Sequence, residues 1–187
     1  MKRLSVISAA ALVAACIFLS CTKESIKNLY NSQEQRIETI VNNIINSDTT
    51  GTAYNVSNSG VQRVVLAEGT GEALTSSGTV TFYYAGYTLP SASLSQNNLF
   101  DTNIYDIAKS ADRDTTDLSV FEPYTVKLSG SRLVPGLKKG LVGVKAGEQC
   151  FVLFSGKYGF GDIELGTIPA NSALAYALII VNVGQAD

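Results

Sequence analysis

Residues Arg132–Glu148 read RLVPGLKKGLVGVKAGE, a short helical pattern between two segments of strand character. Pro135 suits the first helical turn, because its missing N–H is one of those a helix start leaves unbonded anyway. Leu137 and Leu141 fall four residues apart and share a face, with Lys138 and Lys139 directed toward solvent. Ala146-Gly147 then turns the chain into EQCFVLF, where Cys150, Val152 and Phe154 alternate onto one side of a strand. Upstream, Tyr124 to Leu128 reads as another strand.

The same period of two extends outward. GVQRVVLAEGTGE, from Gly60, gives a strand and a glycine turn; TVTFYYAGYTL sets Val80, Phe82 and Tyr84 against Thr81 and Tyr83; SALAYALIIVNV closes the set. These segments predict an α+β architecture, a mostly antiparallel sheet with one short helix covering a face.

Composition narrows the function classes. The 187 residues are 45% hydrophobic and 16% charged, which suits a globular domain with a core plus an appendage. A net charge of -2 provides no basic field for nucleic acid. Histidine is absent, which removes the commonest general base, the Ser-His and Cys-His nucleophile pairs and most transition-metal sites. Too few cysteines remain for a thiolate zinc site, so neither a metal nor a cofactor is expected.

At the N-terminus, Lys2 and Arg3 lead into LSVISAAALVAACIFLSC, the pattern of a bacterial secretory signal over residues 1–20. Cysteines at 16 and 21 both qualify for lipid attachment. Cys21 is preferred, because a cut there exposes the polar TKES and not the apolar IFLS. Acyl chains at ~0.8 kcal/mol per buried methylene would anchor the protein firmly. An uncleaved membrane anchor is the alternative. Processing at Cys21 leaves Cys150 as the one thiol of the mature chain, read as a small core residue with a reactive thiol as the alternative. The expected location is therefore the cell envelope, lipid-anchored to the outer membrane on its periplasmic or surface face.

Residues 21–59 read as a helix and a linker. Ile26, Leu29, Tyr30, Ile37, Ile40, Val41, Ile44 and Ile45 form a stripe at helical spacing. Ser32 and Gln35 make a capping box inside it, which suggests a break at Asn31-Ser32. The stripe implies a helix docked on the domain or spacing it from the membrane, with dimerisation as the alternative. SDTTGTAYNVSNSG follows as linker or edge strand.

In order along the chain, SGVQRVVLAEGTGE, TFYYAGY, LFD, PYTVKLSGSRLVPGLKKGLVGVKAGEQ, KYGFGD and TIPANSALAY resemble the motifs of FKBP-type peptidyl-prolyl isomerases. The match runs from about Gly60 to Val183, so residues 60–187 are identified as an FKBP-like domain. The resemblance implies a twisted antiparallel sheet wrapped around a short helix. Its cleft would bind proline-containing peptides, among them unfolded envelope proteins, and macrolides such as rapamycin. It further implies catalytic positions at Tyr84, Phe100, Asp101, Phe160 and Tyr176, and substrate-binding positions at Tyr124, Leu133, Val134, Leu137 and Ile168. Asp101 would orient Tyr84 or hold a ligand hydroxyl, and Leu133 would offer its N–H to the carbonyl beyond the proline.

Two positions depart from the family pattern: Leu137 stands where tryptophan is usual, and Phe160 where tyrosine is. Residues 87–99 and 102–122 are longer than in the minimal family domain. The second insertion holds DRDTTD, read as a solvated loop, with Arg113 as a partner for the site aspartate. CTKES resembles a surface-export tag of Bacteroidetes lipoproteins.

Overall fold

A computed structural model describes residues 2–185, with side chains described from Lys23 onward. The expected signal segment and the lipid attachment at Cys21 lie outside the residues whose side chains are described. In chain order the elements are α1 (Lys2–Ser47), β1 (Tyr54–Asn58), β2 (Val61–Ala67), β3 (Thr79–Thr88), β4 (Leu99–Thr102), α2 (Tyr105–Ser110), β5 (Tyr124–Lys127), α3 (Pro135–Leu141), β6 (Gln149–Phe154) and β7 (Leu174–Gly184). All strands join one seven-stranded sheet, ordered β1-β2-β6-β7-β3-β4, with β5 also on β3. Every pairing is antiparallel. The α+β expectation is met, and β1 joins the sheet as its edge strand ahead of Gly60.

Both faces of the sheet are covered. On one, Val152 and Phe154 of β6 and Leu174, Tyr176, Leu178 and Ile180 of β7 pack with Leu137 and Leu141 of α3. On the other, Leu153 of β6 and Ala175 of β7 pack with Ile37, Ile40 and Val41 of α1. Alternation along β6 and β7 thus feeds two cores. Helix α1 docks on the domain, and it is continuous through Asn31 and Ser32, where the sequence suggested a break. Gln33, Ile37, Ile40 and Val41 are buried at helical spacing, and that packing outweighs a local capping signal.

Helix α3 reaches its face of the sheet through two glycines. A methyl group at Gly136 would overlap the Phe154 ring, and one at Gly140 would overlap Val152. Glycine in a helix costs ~1 kcal/mol relative to alanine, so the helix gives up intrinsic stability for close approach. Its far end is held by Arg63 of β2. That buried guanidinium donates to the carbonyls of Gly140 at 3.1 Å and Val142 at 2.9 Å, and lies 3.4 Å from the Glu148 carboxylate. A positive charge at a helix C-terminus is favourable, and Glu148 keeps it neutralised in the interior.

Strands β4 and β5 share one edge of β3, with a gap at Tyr83 and Tyr84 where the chain leaves and returns. Asn103 fills the gap. Its side-chain oxygen accepts from the Tyr84 N–H at 2.6 Å, its own N–H donates to the Tyr84 carbonyl at 3.2 Å, and its amide nitrogen donates to the Glu122 carbonyl at 3.0 Å. The backbone of β3 is thereby satisfied without a strand neighbour.

Gly140→Ala should destabilise the domain by about 1–3 kcal/mol in denaturant unfolding despite the better helix propensity of alanine, because Val152 has nowhere to move. An unchanged or raised midpoint would mean that α3 does not sit this close to β6.

Candidate functional site

A cavity of about 310 Å³ opens between α3, the concave side of β3 and β7, and the chain between β6 and β7. Its lining includes every position named from the resemblance: Tyr84, Phe100, Asp101, Tyr124, Leu133, Val134, Leu137, Phe160, Ile168 and Tyr176. Phe82, Arg132 and Leu165 line it as well. Phe82 shares the face of Tyr84 by period two, and Arg132 adjoins Leu133, so both were within reach of the pattern. Leu165 carried no sequence signal beyond its apolarity.

Leu137 forms the floor, buried on the inward face of α3. Behind it, Tyr176 stacks on Phe154 with ring centroids 6.0 Å apart and planes 20° from parallel. Phe100 meets Tyr176 edge-on at 5.7 Å and 83°. The Phe100 ring lies directly over Gly86, where any side chain would collide with it. Glycine in the middle of a strand marks such a close approach. Tyr124 stands at the rim, its ring edge-on to Phe82 at 5.8 Å.

Tyr84 donates its hydroxyl to Asp101 at 2.6 Å. Asp101 does orient Tyr84. Arg113, expected as the partner of this aspartate, donates instead to the Leu99 carbonyl at 2.7 Å. Arg113 lies in the insertion and is committed to that carbonyl. Within DRDTTD, Asp114 accepts from the N–H and hydroxyl of Thr116, and Asp117 from those of Ser119. Both carboxylates are engaged by their own loop, which matches the solvated-loop reading. Cys150 is buried in the α3-side core, where burial first and the nearby Glu148 charge second push its thiol well above the ordinary range. It is a packing residue.

Burial also raises the phenol of Tyr84, with the Asp101 hydrogen bond and charge adding to it. Tyr176 is raised mainly by burial and then by the Asp101 charge. Both hydroxyls therefore stay protonated across the physiological range. With histidine absent from the chain, the site is a mostly apolar bowl carrying neutral phenols, the Asp101 carboxylate and the Arg132 guanidinium.

The remaining wall is the segment after β6. It carries Phe160, Leu165 and Ile168, and the backbones of Leu165 and Ile168 bond to each other in both directions at 3.0 and 2.9 Å. Neither insertion fills the cavity. Residues 102–122 do not line it, and within them Phe121 meets Tyr105 edge-on at 5.4 Å. In residues 87–99, Leu89 and Leu94 pack toward α1 on the opposite face.

Comparison with known proteins places this geometry. The FKBP-type peptidyl-prolyl cis-trans isomerase family model matches residues 71–181. The chain belongs to this family. FK506-binding protein 1 of Aspergillus oryzae is 25% identical over 124 residues, covering 66% of this chain and 98% of the relative. FK506-binding protein 2 of Podospora anserina is 33% identical over 61 residues, a third of either chain. Among solved structures, FkpA from Escherichia coli matches with a TM-score of 0.56 at 19% identity, covering 97% of this chain and 73% of that one. The three FKBP domains of wheat FKBP73 match with a TM-score of 0.54 at 20% identity, covering 72% and 50%. At these identities the structures speak to the fold. FKBP-type domains are peptidyl-prolyl cis-trans isomerases that bind proline-containing peptides and macrolides such as FK506.

Raised phenols leave a signature in alkali. The folded FKBP domain keeps protons on Tyr176 that the unfolded chain loses from about pH 10, so the stability this gives is complete below pH 10 and declines above it. Tyr176→Phe should therefore lose stability less steeply above pH 10, by up to about 1.4 kcal/mol per pH unit. Identical slopes for the two proteins in denaturant unfolding at pH 9 to 11 would refute the assignment.

Proposed function

We propose that this FKBP-type protein is a prolyl isomerase and folding helper for exported proteins, lipid-anchored through Cys21 in the cell envelope. The observation that carries the catalytic part is the apolar cavity, walled by Phe100, Phe160 and Tyr176 over Leu137. The signal-like N-terminus supports the location. Residues 1–20 are the export signal, 21–59 the helix and its connection, and 60–187 the catalytic domain.

An X-Pro bond rotates against a barrier of ~18–20 kcal/mol, because rotation breaks amide resonance. Water opposes rotation further, since it hydrogen-bonds the polar planar amide better than the twisted one. In the bowl, aromatic walls strip that water while their shape fits the proline in its twisted state, so binding energy favours the transition state. The Leu133 N–H takes the carbonyl beyond the proline, fixing the chain while the imide turns. Asp101 holds Tyr84 in place as part of the wall. No proton moves, so neutral phenols and the lack of histidine are compatible with the chemistry. A thousandfold acceleration needs only ~4 kcal/mol of such differential stabilisation. Val120 of the insertion stands 54% exposed in a depression shared with Tyr84 and Tyr124, apolar surface suited to unfolded clients.

Leu137 in place of tryptophan supports a second reading, a binding module that holds prolyl segments without turning them over. A protease-coupled assay on an Xaa-Pro peptide separates the two. The isomerase reading expects catalysis well above the uncatalysed rate, flat between about pH 6 and 9, and a loss of about tenfold or more in kcat/KM for Phe100→Ala. Equal turnover by wild type and Phe100→Ala sinks it, and binding without turnover selects the module. For the anchor, Cys21→Ser should move the protein from the membrane to the soluble fraction; continued membrane association would remove that part.

A further inference from the structure

The chain between β6 and β7 leaves the sheet at Ser155 and rejoins it before Leu174, and it carries Phe160 and Ile168 to the cavity. Its two feet stand close together. Gly156 packs against the backbone of Asn171 so tightly that any side chain there would overlap it. Asn171 itself takes a left-handed φ of 57°, a conformation that asparagine tolerates better than most residues. Both feet are covered by α1.

Gln33 of α1 is buried at this point. Its side-chain oxygen accepts from the Gly156 N–H at 2.8 Å, and its side-chain nitrogen donates to the Asn171 carbonyl at 2.7 Å. One amide thus ties both feet at once. One turn earlier on the same face, Tyr30 donates its hydroxyl to the Asn171 side chain at 2.6 Å. The bidentate arrangement uses a donor and an acceptor held at fixed spacing, which glutamate and leucine of similar size cannot supply. A buried amide is poorly explained as a means of docking α1, because Ile37, Ile40 and Val41 already supply the apolar contact. Its position across the loop feet is the distinctive feature.

We infer that Gln33, with Tyr30, is a positioning residue for the prolyl site: α1 clamps the base of the loop and so fixes the wall formed by Phe160 and Ile168. The helix is then part of the binding machinery, though it touches no substrate. Releasing the clamp lets the wall sample positions away from the ligand, so affinity falls while the opposite wall, Tyr84, Phe100 and Asp101, is untouched. The effect belongs in KM or Kd more than in kcat. This assignment rests on the cavity being the prolyl site, but the order of the loop does not.

The experiment compares wild type with Gln33→Leu, Tyr30→Phe and, as a packing control, Ile40→Ala, which loosens α1 elsewhere. Amide hydrogen exchange is followed over residues 157–170, and binding of an Xaa-Pro peptide by calorimetry, both in native buffer well below the unfolding transition. Gln33→Leu should speed exchange across that loop and weaken the peptide about tenfold. Tyr30→Phe, which removes a single hydroxyl and keeps the fold, should do the same about two- to threefold. Ile40→Ala should leave the loop's exchange and the affinity near wild type even where its overall stability is lower. The inference is overturned if the loop exchanges alike in wild type and Gln33→Leu, or if Ile40→Ala disturbs it as much. Should wild type bind no prolyl peptide, the proposed function fails and the exchange result alone decides the clamp.

Discussion

The contact on which the site depends is the one between α3 and β6, where Gly136 and Gly140 lie against Phe154 and Val152. A helix with ordinary side chains on that face would stand further from the sheet. Leu137 would rise with it, and the cavity floor would become a gap open to water. Two small residues one turn apart thus set the depth of the bowl, and Arg63, bonded to the carbonyls at the end of the helix, keeps it from sliding. In the proposed mechanism that depth matters, because a shallow depression hydrates its contents, whereas a close-fitting one replaces water with ring faces.

Much of this was legible in the sequence because the signals were periodic or ordered. Period two gave the strands, and the spacing of Leu137 and Leu141 gave the inward face of α3. The ordered motifs located every residue named for the cavity. What was not legible depended on distant pairs. Gln33 looks like a solvent-facing residue of an amphipathic helix until the chain 123 residues further on folds over it. Arg63 occupies an inward strand position, where a charge is unexpected; only the carbonyls at the end of α3 and the Glu148 carboxylate explain it. The break expected at Asn31-Ser32 failed for the same reason, since a capping box is a local signal and the stripe beneath it is tertiary.

Burial and charge have divided roles in the site. Asp101 is the lone carboxylate of the lining, and it is committed to the Tyr84 hydroxyl. Hydrogen-bonding capacity that would otherwise invite water is thus used within the wall, and apart from Arg132 and the tyrosine hydroxyls the lining is hydrocarbon and ring. In the proposed mechanism such a site would select by shape and by the cost of dehydration more than by polar recognition. That is suited to a binding partner defined by one rigid ring and otherwise free in sequence.

Asn103 has a consequence for how this domain tolerates change. By standing in for a missing neighbour at Tyr84, it seals the seam between β4 and β5 and fixes itself and Glu122 as the two footings of the arch formed by residues 104–121. Anything spliced between those footings hangs outside the barrel-like wall, and doubling its length adds only ~0.6 kcal/mol of closure entropy. The arch is therefore a natural graft point, where new surface can be added at the lip of the bowl without reshaping its interior.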